Sequence, residues 1–182
     1  MIPELSLPSI PLDSLRVAPH ALFDQQWLLL TAGDFAAGDF NSMTISWGAL
    51  GTIWNRPLVM VAVRPTRYTY VFMERYPNFT LSAFAPVYRP ALNLLGSRSG
   101  REMDKIAASG LTPAAVPGCS APAFMEAELV LVCEKMYWQD VNPAQMCDPS
   151  FYLDSAQPDP HRVYFGEARA AYGLARFAGE AA

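Results

Sequence analysis

From Met43 to Trp47 apolar and hydroxyl-bearing residues alternate. This period of two predicts a strand with Thr44 and Ser46 on one face and Met43, Ile45 and Trp47 on the other. Leu58–Val63 is apolar throughout and rich in valine, the pattern of a strand covered on both faces, and Arg64-Pro65 ends it. The leucine-rich run Gln26–Ala32 predicts a first strand, followed by a Gly/Asp/Ala-rich loop over 33–39. Phe79–Phe84, Phe124–Trp138 and His161–Tyr172 have the β-branched, partly alternating make-up of further strands. Helices are few and short. Thr66 is placed to cap one over 67–75. Ser99 with Glu102 forms an S-x-x-E capping box that opens another, running to Ser109 and stopped by Gly110. Together these elements make a mainly β, predominantly antiparallel fold with short helices. Four prolines within residues 1–20 suggest an extended arm over the domain or a neighbouring subunit, leaving 21–182 as the domain itself.

Composition adds a partner to this picture. Apolar residues make up 52% of the chain and charged ones 16%, against roughly 25% charged in ordinary soluble domains. So little charge covers a monomer poorly, and a homodimer is the simplest remedy. No apolar run nears the roughly 18 residues needed to cross a bilayer. Glu4 and early prolines stand where a secretory signal would be basic and then apolar, so the expected location is the cytoplasm. A net charge of −4 without a basic stripe disfavours nucleic acid. Cys119, Cys133 and Cys147 are odd in number and widely spaced, which reads as reduced thiols. With His20 and His161 the only histidines, a histidine-rich metal site is excluded.

Two segments carry candidate chemistry. Gly96-Ser97-Arg98-Ser99-Gly100-Arg101 combines small residues, hydroxyls and the free N–H groups of a helix start, as a phosphate site requires; Arg101 and Lys105, four apart, would share one helix face. It is equally readable as an ordinary capped helix. Arg64-Pro65-Thr66-Arg67-Tyr68-Thr69 presents two guanidinium groups, two hydroxyls and an aromatic ring from one rigid turn, or simply a strand-to-helix turn whose arginines face water. No G-x-G-x-x-G, P-loop or G-x-S-x-G occurs, which disfavours a Rossmann domain and a serine hydrolase.

Taken in order and spacing, Asn41-Ser42-Met43-Thr44-Ile45-Ser46-Trp47-Gly48, Arg64-Pro65-Thr66-Arg67-Tyr68-Thr69 and Ser99-Gly100-Arg101-Glu102-Met103-Asp104-Lys105 resemble the flavin reductase-like family, and within it the flavoredoxin-like branch. The stretch His161-Arg162-Val163-Tyr164-Phe165-Gly166-Glu167 looks like that family's penultimate strand, and the similarity spans residues 20 to 172. Many relatives have Cys where this chain has Leu95 and Asp where it has Glu102; neither change touches a proposed phosphate donor.

The resemblance implies an FMN-binding split β-barrel, homodimeric, that passes reducing equivalents from NADH or NADPH through FMN. By it, Asn41, Met43, Thr44, Ser46 and Trp47 would line the isoalloxazine and ribityl chain. Arg64, Pro65, Arg67, Tyr68 and Thr69 would extend that wall toward the phosphate, which Ser99, Gly100, Arg101 and Lys105 would enclose. His161 would face the nicotinamide, or else be an exposed histidine after Asp159-Pro160. Three functions are compatible with this: an NAD(P)H:FMN oxidoreductase serving a monooxygenase or another acceptor, a flavoredoxin-type electron carrier between redox proteins, and a non-catalytic flavin-binding protein.

Overall fold

The computed structural model describes residues 2–148, 150 and 160–179. The apolar runs form strands because each can bury alternate side chains in one shared interior. In chain order these are β1 (Ser9–Ile10), β2 (Leu28–Asp34), β3 (Asp39–Ile45), β4 (Gly48–Ile53), β5 (Arg56–Val63), β6 (Asn78–Phe84), β7 (Pro113–Val116), β8 (Cys119–Phe124), β9 (Ala127–Asp140) and β10 (Arg162–Gly173). The main sheet runs β3-β2-β6-β9-β10-β5-β4, every pair antiparallel. Bulges at Phe165/Gly166 and Ala168/Ala170 add twist, and the sheet curls until Leu30, Met43, Val61, Phe79, Leu131 and Tyr164 meet in one core. The mainly β expectation is met.

β3 and β4 are consecutive in the chain yet stand at opposite ends of the sheet's path, so the curled sheet is split between them. The helices are α1 (Pro19–Ala21), α2 (Tyr68–Arg75), α3 (Arg89–Ser97) and α4 (Lys105–Ser109). A second core forms outside the sheet, where Leu92 and Leu95 of α3 and Phe124 of the β7–β8 hairpin cover Leu29, Val130 and Val132. This leaves β2 buried on both faces. The proline-rich arm lies on its own chain: Ser9 and Ile10 pair with Tyr172 and Ala171, and Leu15 bridges Ala178.

Several elements differ from the sequence reading. Ser99 and Glu102 do not box a helix start. Ser99 Oγ accepts instead from the nearby Arg101 N–H at 3.2 Å, closing a local turn, and α4 begins only at Lys105. Its cap is Asp104, whose carboxylate accepts from Ala107 N at 3.0 Å, and Gly110 ends it in the left-handed region at φ 74°. A carboxylate facing the free N–H groups of a first turn outcompetes a hydroxyl already engaged two residues along. The helix expected over 67–75 is α2, which starts at Tyr68, and its N-cap residue is Arg67, which makes no side-chain cap bond. α3 is not among the helices the sequence pattern predicts; Pro90 stands in its first turn, where proline is well tolerated. The long run from Phe124 is two strands parted by a turn at Met125-Glu126, and β2 extends into the expected 33–39 loop.

Leu58–Val63 departs in a more informative way. Val59, Val61 and Val63 are buried, whereas Leu58, Met60 and Ala62 are half-exposed on the outer face. A continuous apolar strand covered on one side only signals a surface that the single chain leaves open.

The helix start is directly testable. Asp104→Ala is expected to cost about 1 kcal/mol, lowering the thermal midpoint by about 2–4 °C, while Ser99→Ala stays within about 0.5 kcal/mol. Equal losses in calorimetry would restore Ser99 as the cap.

Candidate functional site

At the split in the sheet the strand ends of β3 and β5 leave a cavity of about 210 Å³. Met43 and Ile45 are buried in its floor, while Thr44 and Ser46 are half-buried along one side. Trp47 does not continue the apolar row. The strand ends at Ile45, and the indole swings out, 57% exposed, to form the cavity's outer wall. Across from it are Ala62, Arg64, Arg67 and His161.

His161 is buried rather than exposed, because Trp47 covers it: the two rings lie 4.9 Å apart at a tilt of 46°. From the other side Arg64 Nε donates to His161 Nε2 at 3.3 Å. The next residue, Arg162, anchors this end of β10, donating to Asp140 at 2.7 Å and Glu74 at 2.8 Å with its guanidinium 3.5 Å over Trp138. Tyr164 Oη donates to the same Glu74 at 2.6 Å. The histidine is therefore held by strand, ring and guanidinium together.

A second cavity of about 100 Å³ opens beside the first, between the turn before α2 and the loop after α3. Met43 and Arg67 line both. The small cavity's hydroxyls come from Thr66, Thr69, Ser97 and Ser99, and its cations from Arg67, Arg98 and Lys105. Arg67 ties its two walls together by donating to Gly96 O at 3.0 Å. Lys105 is buried, and Nζ donates to Leu95 O at 2.8 Å and Arg98 O at 3.2 Å. Burial, and secondarily the Arg67 guanidinium, push its pKa down to about 8. Among the described residues no acidic side chain lines either cavity.

Ten of the fourteen residues singled out as cofactor-binding candidates thus line one cavity or the other, and His161 joins them. Asn41, Pro65, Gly100 and Arg101 line neither. Asn41 is buried and donates to Thr69 Oγ1 at 2.7 Å, fixing that hydroxyl. Gly100 sits where a Cβ would come within 2.5 Å of Asn41 Oδ1 and 3.0 Å of the Tyr68 ring, so only glycine lets the loop approach this closely. Arg101 does not share a helix face with Lys105, since the helix starts four residues later. Its guanidinium lies 4.8 Å over Tyr68 and donates to Thr66 O at 3.1 Å, clasping the loop to the Arg64–Thr69 turn. Asn41, Gly100 and Arg101 hold the walls from behind.

Ser97 and Arg98 belong to the site although their specific part was not foreseen. The signal was α3, which ends at Ser97 and delivers both to the cavity. Thr44 secures that placement by donating from Oγ1 to Leu92 O of α3 at 2.5 Å. A larger cavity of about 500 Å³ under the N-terminal arm, between Leu22, Phe84 and Arg176, shares no lining residue with the site.

Comparison with known proteins fits this geometry. A family model described as "Flavin reductase like domain" matches residues 21–147. No curated protein matches the chain. Among solved structures, an FMN-binding domain of a flavin reductases-like enzyme from Shewanella baltica OS155 superposes with a TM-score of 0.67 at 17% identity, over 93% of this chain and 78% of that one. Flavoredoxin of Desulfovibrio vulgaris (Miyazaki F) follows with a TM-score of 0.63 at 19% identity, over 88% and 73% of the two chains. An NADH:FAD oxidoreductase of Streptomyces globisporus C-1027, in complex with NAD and FAD fragments, gives 0.60 at 16%, over 82% and 74%. At such identities the likeness is one of fold.

Proposed function

The chain belongs to the flavin reductase-like family, and from that premise we propose that it is an NAD(P)H:FMN oxidoreductase that holds FMN across the split in its sheet. The observation that carries this reading is the pair of cavities that share Met43 and Arg67 as lining: one walled by Trp47 and His161 with polar edges, then a small one rich in hydroxyls and cations. A ring system linked to a phosphate monoester has this distribution of shape and charge.

Bound flavin supplies hydride chemistry at its own ring, so the chain's part is to bind, orient and exclude water. In this reading Thr44, Ser46 and Trp47 border the ring, and Arg64 and Arg67 favour the electron-rich reduced form by their charge. His161, its Nε2 already accepting from Arg64, stands at the open side under Trp47, where a nicotinamide would approach. Arg67, Arg98, Lys105 and the surrounding hydroxyls hold the phosphate. No acid–base pair is needed for hydride transfer between stacked rings.

At about 210 Å³ the ring cavity falls below the roughly 300 Å³ of an ordinary ligand pocket. A second copy would complete it. The half-exposed outer face of β5 and β10, carrying Met60, Ala62, Val163 and Phe165 with Trp54 and Tyr137 at its rim, is the surface such a copy would cover, and Ala62 also lines the ring cavity. We therefore take the working unit to be a homodimer formed by the 21–182 domain, acting in the cytoplasm and passing reduced flavin or electrons to a partner protein.

Four measurements test the reading. Protein mixed with FMN and either nicotinamide nucleotide should oxidise many equivalents of NADH or NADPH, followed by absorbance; stoichiometric oxidation would indicate a carrier instead, and none at all a flavin-binding protein without turnover. Lys105→Ala should weaken FMN binding by tenfold or more, on the order of 1.4 kcal/mol, with riboflavin affinity nearly unchanged, and Arg67→Ala, which lines the ring cavity too, should weaken FMN binding more than riboflavin binding. Because Lys105 loses its proton near pH 8, FMN affinity should also fall as pH rises through about 8 while riboflavin affinity stays level; parallel losses for the two flavins remove these residues from the phosphate site. Phe165→Glu should turn a sedimenting dimer into monomer and weaken FMN binding with it, and a monomeric wild type would sink the dimer assignment.

A further inference from the structure

The cavity under the N-terminal arm, about 500 Å³, lies within the roughly 300–1,000 Å³ of ordinary small-molecule pockets. One wall is a clasp between distant stretches of chain, where Arg16 N donates to Phe177 O at 2.8 Å and Gly179 N to Ser14 O at 2.7 Å. The lining is largely apolar, with Leu22, Phe84 and Phe177 buried in it. Into this lining come three guanidinium-bearing side chains, Arg16, Arg89 and Arg176, and among the described residues no acidic side chain lines the cavity.

The three arginines are not equivalent. Arg176 is neutralised by Glu128. Arg16 donates to the carbonyls of Asp13 and Leu15, each at 3.2 Å, and Arg89 donates from Nη2 to Gln25 O. Among the described residues, neither has a carboxylate partner. The Arg89 guanidinium lies over the Trp27 ring, 4.0 Å from its centroid, and its Nη1 is buried with no hydrogen-bond partner among the described residues. A buried charged donor left unmade is costly, and an entering anion relieves that cost. We infer that this cavity is a second ligand site, separate from the flavin site, that takes an apolar carboxylate. The hydrocarbon part packs on Leu22, Phe84 and Phe177, and the carboxylate accepts from Arg89 Nη1 and from Arg16. A phosphate is disfavoured: unlike the small cationic cavity, this lining holds no serine or threonine among the described residues, and its apolar walls suit a single charge on a hydrocarbon body.

Calorimetric titration of the full chain with octanoate and 4-phenylbutyrate, each beside its own alcohol, tests the inference. An acid should bind once per chain and about tenfold or more tighter than its alcohol. Binding of either acid upholds the site, and the tighter one shows whether the ligand is alkyl or aryl. Arg89→Gln should bring the acid to the level of its alcohol while the alcohol's affinity stays unchanged, a pattern that loss of folding does not produce. Arg16→Gln, on the exposed arm, should weaken the acid alone by a smaller factor. Ala18→Trp, which fills the cavity from an exposed position before α1, should abolish binding of acid and alcohol together. Acids that bind no better than their alcohols, that fail to bind, that bind Ala18→Trp unchanged, or that FMN displaces overturn the inference. None of these results bears on the flavin reading, whose own tests use other residues.

Discussion

The sheet does not close between β3 and β4, and the rest of the molecule follows from that gap. The two strands are joined by only Ser46 and Trp47, a link as short as the Trp54-Asn55 turn across which β4 and β5 pair, yet β3 and β4 do not pair and diverge to opposite ends of the sheet's path. At most positions a curled antiparallel sheet fills its interior with side chains and satisfies its edges by pairing. Here the ends of β3 and β5 are left facing one another across open space, and the site lies in that opening. Trp47 is exposed for the same reason: past the end of β3 no partner strand fixes its direction.

An open seam would be a weak point unless its surroundings were rigid. The second core supplies that rigidity, since α3 and the β7–β8 hairpin lock the back of β2 and β9. Polar groups inside it are mostly paired, Thr31 with Ser42 at 2.7 Å and Thr80 with Pro122 O at 2.6 Å. The packing that stabilises the sheet also sets the position of the α3 C-terminus. The small cationic cavity is thus a consequence of core packing as much as of loop sequence. Thr44 links the two levels, since its side chain lines the ring cavity while its hydroxyl holds α3.

Much of this could be read from the sequence where the period of two or an unbroken apolar run was long enough, as in Met43–Trp47 and Leu58–Val63. Legibility failed where local and long-range demands competed. Ser99 and Glu102 satisfy the spacing of a capping box, but a tight turn that seats Gly100 against Asn41 and Tyr68 has the stronger claim on that segment, and the helix waits for Asp104. α3 is not legible in the pattern, since the effect of Pro90 depends on whether it sits in the first helical turn, which pattern alone does not say. His161 owes its burial to Trp47, more than a hundred positions away along the chain, a contact created only by strand pairing. The open face of β5 was invisible for a different reason. An apolar run reports that both faces are to be covered, not whether the same chain covers them.

The electrostatics of the small cavity go one step further. Arg67, Arg98 and Lys105 converge without an acidic residue among the described residues of the lining, and Lys105 carries its charge at a cost that burial and Arg67 both raise. Its carbonyl partners, Leu95 O and Arg98 O, orient the ammonium but bring no compensating charge. A structural lysine under these conditions would ordinarily be found beside a carboxylate, or replaced by an apolar residue of similar volume. Convergent cations left unneutralised lower the stability of the empty fold and raise its affinity for whatever anion enters, and a bound phosphate would return the Lys105 pKa toward its ordinary range. On the proposed reading, the loop from Ser97 to Lys105 would be arranged for its ligand rather than for the free chain. The same reasoning explains why Arg101, outside the cavity and stacked on Tyr68, contributes shape without adding a fourth cation to the cavity lining.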